Sequence, residues 1–432
     1  MRNYNRKRVI IISISSIFIL TALFSLTFIT HKKPAVFKKT IHKTDSFFID
    51  NSPIKKTIRH YADTLQREFD SSMTAGAAVT IVYKNKIILT RTYGLRKAGT
   101  AHRVDKHTVF RLASVSKGFA GVLACLLEQD SIICLNDKIK DYLPEFQLKN
   151  KVNSDNLTIR QILSHTSGLV AHAFDNLADD KIPYPVILSE LCNVDISAPP
   201  GQLYSYQNAI FSLLDTIIRV QTGKTYGDIL ESKVFKPLKL TDASTGPAVF
   251  LNENNDIAYP HNLKGKVNVA SSPNLGYYDL MPAAGVNASI SDMGRWLLAL
   301  LGNKPQFINR DVLNLIETPV IATRLKRSYY QFWDHIDSKS YSLGWRIYSY
   351  KGRKIIYHGG YVKGYRSEVA FCPDENIGMA FLQNSSTDLA AKVVPMFFNM
   401  WFAQEDSTSA PIVKEKIVGI HRKKSLIKDR TR

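Results

Sequence analysis

The pattern of apolar positions predicts strands near both ends of the chain and helices between them. Residues 77–93 resemble two strands joined by a turn at 84–86, and four further short strands are predicted at 341–348, 353–358, 367–372 and 377–382. From about 136 to 240 the apolar residues recur at helical spacing, and a last helix is predicted over 388–402. We therefore predict an α/β protein of the α+β kind, in which one antiparallel sheet is assembled from both ends of the chain. Helices cover this sheet, and a helical lobe is inserted in it.

The first apolar segment of the chain is predicted to be a membrane helix rather than part of the domain. Residues 9–30 carry no charge, lie between basic clusters and would form a helix of ~33 Å, long enough to cross a bilayer. No small-x-small cleavage site follows, which favours an uncleaved membrane anchor over a signal peptide. The predicted order is a cytoplasmic basic N-terminus (1–8), the anchor, a tether (31–60), one domain (61–403) and a basic tail (404–432). The domain would face the periplasm or exterior of a bacterial inner membrane, or be secreted if the segment is cleaved.

The composition narrows the class of protein. Hydrophobic residues make up 45% and charged residues 22% of the chain, which excludes disorder on the scale of the whole protein. The formal net charge is +20, and part of it is concentrated at the two ends. Since no zinc-finger spacing or aromatic-basic RNA signature is present, an anionic membrane or cell wall is a more plausible partner than nucleic acid. No metal or other cofactor is predicted.

Ser114 and Lys117 form a candidate nucleophile and base. A helix places residues i and i+3 on one face, so the Ser114 hydroxyl lies beside the Lys117 amine at the positive end of the helix dipole. A serine hydroxyl is a poor nucleophile unless such a base is within hydrogen-bond reach. The pattern S-x-x-K is short and arises by chance in a chain rich in Ser and Lys, so its weight depends on partners elsewhere.

Two other segments supply possible partners. Tyr206 and Asn208 follow a Pro-Gly turn and precede an apolar helix, where a phenol can shuttle a proton and an amide can donate to a carbonyl. His358, Gly359 and Gly360 end a predicted strand, and paired glycines let the backbone approach a ligand closely. In isolation these segments are better explained as a buried tyrosine beside a turn and as a tight hairpin that carries a surface histidine.

Together the three segments resemble the motif pattern of the serine β-lactamases and penicillin-binding proteins. The resemblance is to the class C-like branch, which includes D-aminopeptidases, D-alanyl-D-alanine carboxypeptidases and carboxylesterases, and it covers roughly residues 61–402. It implies the β-lactamase/transpeptidase-like fold. The segments that support it are 110–117, 162–169, 200–208 and 283–293.

The resemblance implies a role for each motif residue. Ser114 is the expected nucleophile, and Lys117 and Tyr206 are its expected proton-transfer partners. The backbone N–H groups of Ser114 and Tyr361 are the expected oxyanion hole. Ser116 points elsewhere on the helix, and His165 is expected to be structural. The residues expected to bind substrate are Asn208, His358, Gly359, Gly360, Tyr361 and Arg366.

The implied activity is that of a serine hydrolase that forms an acyl-enzyme. The expected substrates are peptides or amides containing D-amino acids, cell-wall peptides, or esters. His358 stands where the family usually has the Lys of Lys-Thr-Gly, which weakens a fixed positive charge and makes β-lactamase activity a less favoured alternative. Arg366 is a candidate to restore that charge, and either desolvation or a protonated His358 is a candidate to keep Lys117 neutral. A non-catalytic module that binds cell-wall fragments remains a further alternative.

Overall fold

The elements below come from a computed structural model that describes residues 52–252, 254–324, 331–334 and 336–409. The strands are β1 Gly76–Tyr83, β2 Lys86–Gly94, β3 Phe110–Arg111, β4 Ser244–Thr245, β5 His261–Lys264, β6 Val267–Ala270, β7 Val286–Ala288, β8 Ile321–Ala322, β9 Ser338–Tyr341, β10 Arg346–Tyr350, β11 Arg353–Val362, β12 Tyr365–Cys372 and β13 Ile377–Gln383. The helices are α1 Pro53–Ser71, α2 Ser116–Gln129, α3 Ile139–Tyr142, α4 Lys151–Asn156, α5 Ile159–Leu163, α6 Asp175–Asp179, α7 Tyr184–Glu190, α8 Asn208–Phe211, α9 Leu213–Thr222, α10 Tyr226–Leu230, α11 Lys236–Leu238, α12 Met281–Ala284, α13 Ile290–Leu300, α14 Arg310–Glu317 and α15 Leu389–Ser409.

One antiparallel sheet organises the described chain. Its strand order is β2-β1-β13-β12-β11-β10-β9-β8, so the first two strands pair with the last one. The register of that pair runs from Ala77 opposite Gln383 to Tyr83 opposite Ile377. The structure therefore confirms the predicted antiparallel sheet that is assembled from both ends. The helices α2–α14 lie between β2 and β8 in the chain and form the inserted lobe.

Helices cover both faces of the sheet. On one face α1 packs against α15, because Ile58, Tyr61, Leu65 and Phe69 recur at helical spacing and are almost fully buried. The opposite face packs against α2 and α13, whose apolar side chains join the larger of two cores. At about 25 cal/mol per Å² of apolar surface removed from water, these cores supply most of the stabilisation of the fold.

Two predicted boundaries were wrong. Residues 53–60 were assigned to the tether, yet α1 begins at Pro53, with Ser52 accepting a hydrogen bond from the Lys55 N–H. At the other end α15 continues to Ser409, beyond the predicted domain end at 403. The predicted anchor at 9–30 lies outside the described residues. Among the helices that are described, none is long and apolar enough to cross a membrane.

A tight turn divides a segment that the sequence suggested was a single strand over 341–348. Gly344 adopts a φ of +77° between β9 and β10, and a Cβ there would lie only 2.1 Å from the Lys117 carbonyl oxygen. Only glycine permits this approach of the turn to α2. The turn also starts β10 at Arg346, which brings that arginine behind the candidate site.

Candidate active site

Ser114 lies on a short 3₁₀ turn, Ala113–Val115, which connects β3 to α2. Ala113, directly before it, adopts a φ of +47°, a left-handed conformation that is uncommon and costly for a residue with a side chain. Strained residues of this kind persist where the surrounding structure holds them, and they cluster at functional sites. The turn aims the Ser114 hydroxyl into a cavity of about 520 Å³ between the sheet and the helical lobe.

Lys117 is fully buried beside Ser114. Its Nζ lies 3.4 Å from the Ser114 Oγ and donates to the Asn208 Oδ1 at 2.6 Å and to the Ala283 carbonyl at 3.0 Å. None of these three partners carries a charge that would compensate a buried ammonium. Burial therefore lowers the pKa of Lys117 well below its ordinary value, and this favours the neutral amine.

Tyr206 and Asn208 meet this pair as the sequence predicted. Tyr206 lines the same cavity as Ser114, and the Lys117 Nζ lies 4.7 Å from the centre of the Tyr206 ring. Burial raises the pKa of Tyr206, so this phenol keeps its proton in the resting protein. The Asn208 amide is held at both ends, since its Nδ2 donates to the Asp175 Oδ1 at 2.9 Å.

Arg346 is a site residue that the motif analysis missed. Its guanidinium is about nine-tenths buried, donates to the Tyr204 hydroxyl at 3.2 Å and lies 5.6 Å from the centre of the Tyr206 ring. Burial is the main cause of the lowered pKa of Lys117. The nearby Asp175 carboxylate opposes this shift, and the positive charge of Arg346 adds to it. A basic residue inside a predicted strand carries no motif signal, so only the three-dimensional arrangement reveals it.

His358 lies behind the wall of the cavity rather than in it. The ring is 1% exposed, its Nδ1 donates to the Gly359 carbonyl at 2.9 Å, and its Nε2 accepts from the Tyr341 hydroxyl at 3.1 Å. Burial, followed by the charges of Arg346 and Lys117, lowers the pKa of His358 well below its ordinary value. The idea that a protonated His358 keeps Lys117 neutral is therefore wrong, and Arg346 supplies the neighbouring positive charge.

The two glycines after His358 bring β11 against the nucleophile. A Cβ on Gly360 would lie 3.1 Å from the Ser114 backbone nitrogen and 2.2 Å from the Leu112 carbonyl oxygen. The pairing of β11 with β10 ends at Tyr357, so that edge of residues 358–362 has no strand partner within the described sheet. The Gly359 carbonyl there accepts from the His358 Nδ1, and the unpaired backbone groups at such an edge can bind a ligand. Tyr361 and Gly359 line the Ser114 cavity.

Arg366 does not line this cavity. It lines an adjoining cavity of about 330 Å³, and its guanidinium lies 5.3 Å from the centre of the Tyr361 ring. The expectation that Arg366 restores the missing charge is therefore not met by its position. Arg346 and Arg324 line the Ser114 cavity instead.

Ser116 and His165, which are expected to be structural, do not line the Ser114 cavity. The Ser116 Oγ accepts from the Val286 N–H at 2.9 Å and is fully buried. The His165 ring is also fully buried, packs 4.2 Å from the Tyr206 ring and accepts from the Gln207 N–H through Nδ1. Within the described ranges, no group of three or more His, Cys, Asp or Glu side chains is placed to hold a metal ion.

Glu368 is a buried carboxyl group beside the site. It lines the adjoining cavity and accepts from the Tyr357 hydroxyl at 2.6 Å, and a Cβ on Gly359 would lie 2.8 Å from its Oε2. Burial raises the pKa of Glu368 to about 8, although the bond from Tyr357 opposes the shift. Glu368 is therefore mostly protonated at neutral pH.

This raised pKa predicts a pH-dependent stability. Above about pH 4.5 the Glu368 carboxyl has lost its proton in the unfolded chain but keeps it in the folded protein. The contribution of Glu368 to the free energy of unfolding is therefore fully present in acid and is lost as the pH rises through about 8. In denaturant unfolding, the wild-type free energy of unfolding should fall between about pH 5 and 8 by a few kcal/mol more than that of Glu368→Gln. Glu145→Gln, which changes an exposed carboxyl, should follow the wild type. Parallel curves for the wild type and Glu368→Gln would contradict the assignment.

An antiparallel sheet with a helical lobe, and a serine-lysine pair between them, define the class of the β-lactamases and penicillin-binding proteins. The family model described as "Beta-lactamase" matches residues 56–394, and the chain belongs to this family. A solved structure of the octameric penicillin-binding protein homologue from Pyrococcus abyssi superposes with a TM-score of 0.69 and 18% identity, over 81% of this chain and 77% of that one. The predicted family and fold are confirmed.

The chain is also similar to named proteins from a bacterium and from a fungus. Protein flp of Staphylococcus aureus (strain NCTC 8325 / PS 47) is 23% identical over 335 residues, which are 76% of this chain and 64% of flp. Unguisins hydrolase ungD' of Aspergillus campestris is 25% identical over 342 residues, 76% of this chain and 61% of that protein. This chain therefore spans less than two thirds of the length of these relatives.

Proposed function

We propose that this protein is a serine hydrolase that forms an acyl-enzyme on Ser114, with Lys117 as the base that takes the hydroxyl proton. The observation that carries the proposal is the fully buried Lys117 amine, 3.4 Å from the Ser114 Oγ. A buried amine without a carboxylate partner destabilises a fold, which argues against a module that only binds ligands. The family membership and the relative that is named a hydrolase support the same reaction class.

The proton transfers follow from the electrostatics. The neutral Lys117 amine takes the proton from Ser114 as the hydroxyl attacks the substrate carbonyl. Tyr206, a neutral phenol that lines the same cavity, then gives its proton to the leaving group and takes one from the Lys117 ammonium. In this account Lys117 is the base and Tyr206 the relay, because burial lowers the pKa of the first and raises that of the second.

The oxyanion of the tetrahedral intermediate would be bound by the backbone N–H groups of Ser114 and Tyr361. The close approach of Gly360 to the Ser114 nitrogen supports this assignment, since it brings both backbones to one side of the hydroxyl. Each preorganised donor of this kind lowers the barrier by about 3 kcal/mol. The free edge of β11 would hold the substrate backbone beside these donors.

The residues that line the cavity favour some of the substrate classes expected for the family over others. Aromatic rings of Tyr204, Tyr206 and Tyr277 line the cavity together with the charged Asp175 and Arg346, which suits a short peptide or an ester with a polar end. We rank peptides or amides of D-amino acids or cell-wall origin slightly above esters. β-Lactams rank third, because a neutral, buried His358 lacks the fixed charge of the usual lysine.

A side-by-side assay distinguishes these substrates. The purified protein is incubated with p-nitrophenyl butyrate, nitrocefin and a peptide ending in D-Ala-D-Ala, each with wild type and Ser114→Ala. We expect turnover of the peptide or the ester that is lost in the variant, and slow or no turnover of nitrocefin. Efficient turnover of nitrocefin would reverse the ranking, and equal rates for the two proteins would contradict the proposal.

Arg346 should set the pH at which Ser114 becomes reactive. Removing its charge in Arg346→Gln raises the pKa of Lys117, so less neutral amine is present at a given pH. The rate of fluorophosphonate labelling rises with pH as Lys117 loses its proton, and in Arg346→Gln this rise should shift to higher pH. Arg346→Lys keeps the charge and serves as the control. Identical pH profiles for the Gln and Lys variants would show that the charge has no such role.

A further inference from the structure

A histidine-aspartate pair lies in the same cavity as Ser114 and belongs to none of the motifs. The His172 Nδ1 lies 2.8 Å from the Asp175 Oδ2, and both residues line the cavity. About half of the His172 side chain is exposed, and among the described residues its Nε2 has no hydrogen-bond partner. An imidazole oriented by a carboxylate through Nδ1, with Nε2 open to a ligand, has the geometry of a general base.

The pair is built into the site rather than attached to its rim. The His172 backbone N–H donates to the Tyr206 carbonyl at 2.9 Å, and the two rings lie 5.4 Å apart. His172 and Phe174 adopt φ values of +60° and +63°, so the loop that carries the pair is held in a strained conformation. The ring is thereby fixed against Tyr206, which lines the same cavity as Ser114.

Asp175 also links the pair to the serine and lysine. Its Oδ1 accepts from the Asn208 Nδ2 at 2.9 Å, and the Asn208 Oδ1 accepts from Lys117. Both carboxylate oxygens are therefore used, one to fix Asn208 and one to orient His172. Lys117, by contrast, is fully buried behind Ser114 and does not face the open part of the cavity.

We propose that His172 is the general base of the second half-reaction, in which water releases the acyl group from Ser114. This inference rests on the proposed function and adds a catalytic residue to it. Water has to approach the acyl carbonyl from the open cavity, and His172 is a half-exposed base on that side. Lys117 then serves acylation, and the His172–Asp175 pair serves hydrolysis.

The step is balanced as follows. His172 Nε2 takes one proton from water while the water oxygen bonds to the carbonyl carbon, which gives a tetrahedral oxyanion. The bond between that carbon and the Ser114 oxygen then breaks. The serine oxygen regains a proton through the Tyr206 hydroxyl, which gives one proton and takes one from the imidazolium. The carboxylic acid product releases its proton to solvent.

The chain offers a matched control for His172. The His107 Nδ1 lies 2.9 Å from the Asp242 Oδ2, and both the histidine and the aspartate have nearly the same exposure as in the first pair. His107 does not line the Ser114 cavity. Replacing a half-exposed histidine that pairs with an aspartate is therefore the same chemical change at His172 and at His107. Only His172 lies beside the nucleophile.

The test measures deacylation alone. The butyryl-enzyme is formed with p-nitrophenyl butyrate, excess ester is removed rapidly, and the decay of the acylated mass is followed for wild type, His172→Gln and His107→Gln. We expect His172→Gln to acylate within about twofold of the wild type but to deacylate on the order of 100-fold more slowly. His107→Gln should match the wild type in both steps.

Two further readouts separate a chemical role from a structural one. Hydroxylamine attacks esters without general-base help, so it should release the butyryl group from His172→Gln at the wild-type rate. Added imidazole should restore deacylation in His172→Ala. The inference is overturned, and the proposed function is not, if His172→Gln deacylates at the wild-type rate. The same holds if the release of the butyryl group from this variant is slowed equally with water and with hydroxylamine. Absence of a butyryl adduct on wild-type Ser114 overturns both the inference and the proposed function.

Discussion

Replacing Ser114 with alanine is expected to lower the turnover of any accepted peptide or ester by a factor on the order of 10⁴ or more. The reason is that Ser114 supplies the atom that bonds to the acyl group, and the neighbouring groups act only through it. The side chain makes few packing contacts that alanine would lose, since it faces the cavity. Steady-state hydrolysis, with thermal unfolding to verify the fold, measures the effect.

Ser116→Ala is the matched control for this prediction. Ser116 is two residues away on the same segment, but its Oγ is buried and accepts from the Val286 N–H. We expect this variant to lose stability, by about 1–3 kcal/mol for a buried N–H left without an acceptor, and to keep its turnover while folded. Retained turnover in Ser114→Ala, or an equal loss in Ser116→Ala, would exclude Ser114 as the nucleophile.

Replacing Lys117 with methionine is expected to slow acylation of Ser114 by ~10²–10⁴-fold, the usual contribution of a general base. Methionine is unbranched and fits an irregular buried space, so the change removes the amine with little change in volume. It also removes the donor to Asn208 and Ala283, and unfolding measurements should accompany the rates. The rate of labelling by a fluorophosphonate reports the acylation step directly.

Lys117→Arg separates a base from a fixed charge. Arginine keeps a positive charge and can still donate to the Asn208 Oδ1, but it does not lose its proton in proteins. We expect acylation in this variant to be as slow as in the methionine variant. Recovery of the wild-type rate by arginine would show that position 117 acts through its charge, and Lys117 would not be the base.

The core of the site could be predicted because its signals are local. The spacing of Ser114 and Lys117 is set by one helical turn, and the structure brings Tyr206 and Asn208 to the same pair. The sheet assembled from both chain ends was also predictable, since short, nearly continuous apolar runs mark its central strands β1, β12 and β13. These features depend on short-range periodicity and on motifs that occur in a fixed order.

The electrostatics of the site could not be predicted in the same way. Arg346 reaches Tyr206 only because the turn at Gly344 divides a segment that resembled one strand. His358 looked like a switchable charge, yet its ring nitrogens are occupied by Tyr341 and Gly359. Whether a histidine faces a ligand or a core depends on long-range packing, and no local pattern encodes that choice.

The start of the domain was misjudged for a related reason. The stretch before residue 61 is rich in Lys, Thr and Ser, and its apolar residues are too sparse to mark a helix without knowledge of what they contact. In the structure, Ile58 packs on the same face as Tyr61, against the distant helix α15. Most helical stability of this kind comes from tertiary packing rather than from propensity.

Mapping a covalent adduct tests the central claim most directly. Wild-type protein and Ser114→Ala are treated with a fluorophosphonate, digested and analysed by tandem mass spectrometry. We expect a single adduct on the peptide that carries Ser114 in the wild type, and none at any residue in the variant. Absence of an adduct in the wild type, or an adduct that persists in Ser114→Ala, would contradict the claim that Ser114 is the nucleophile.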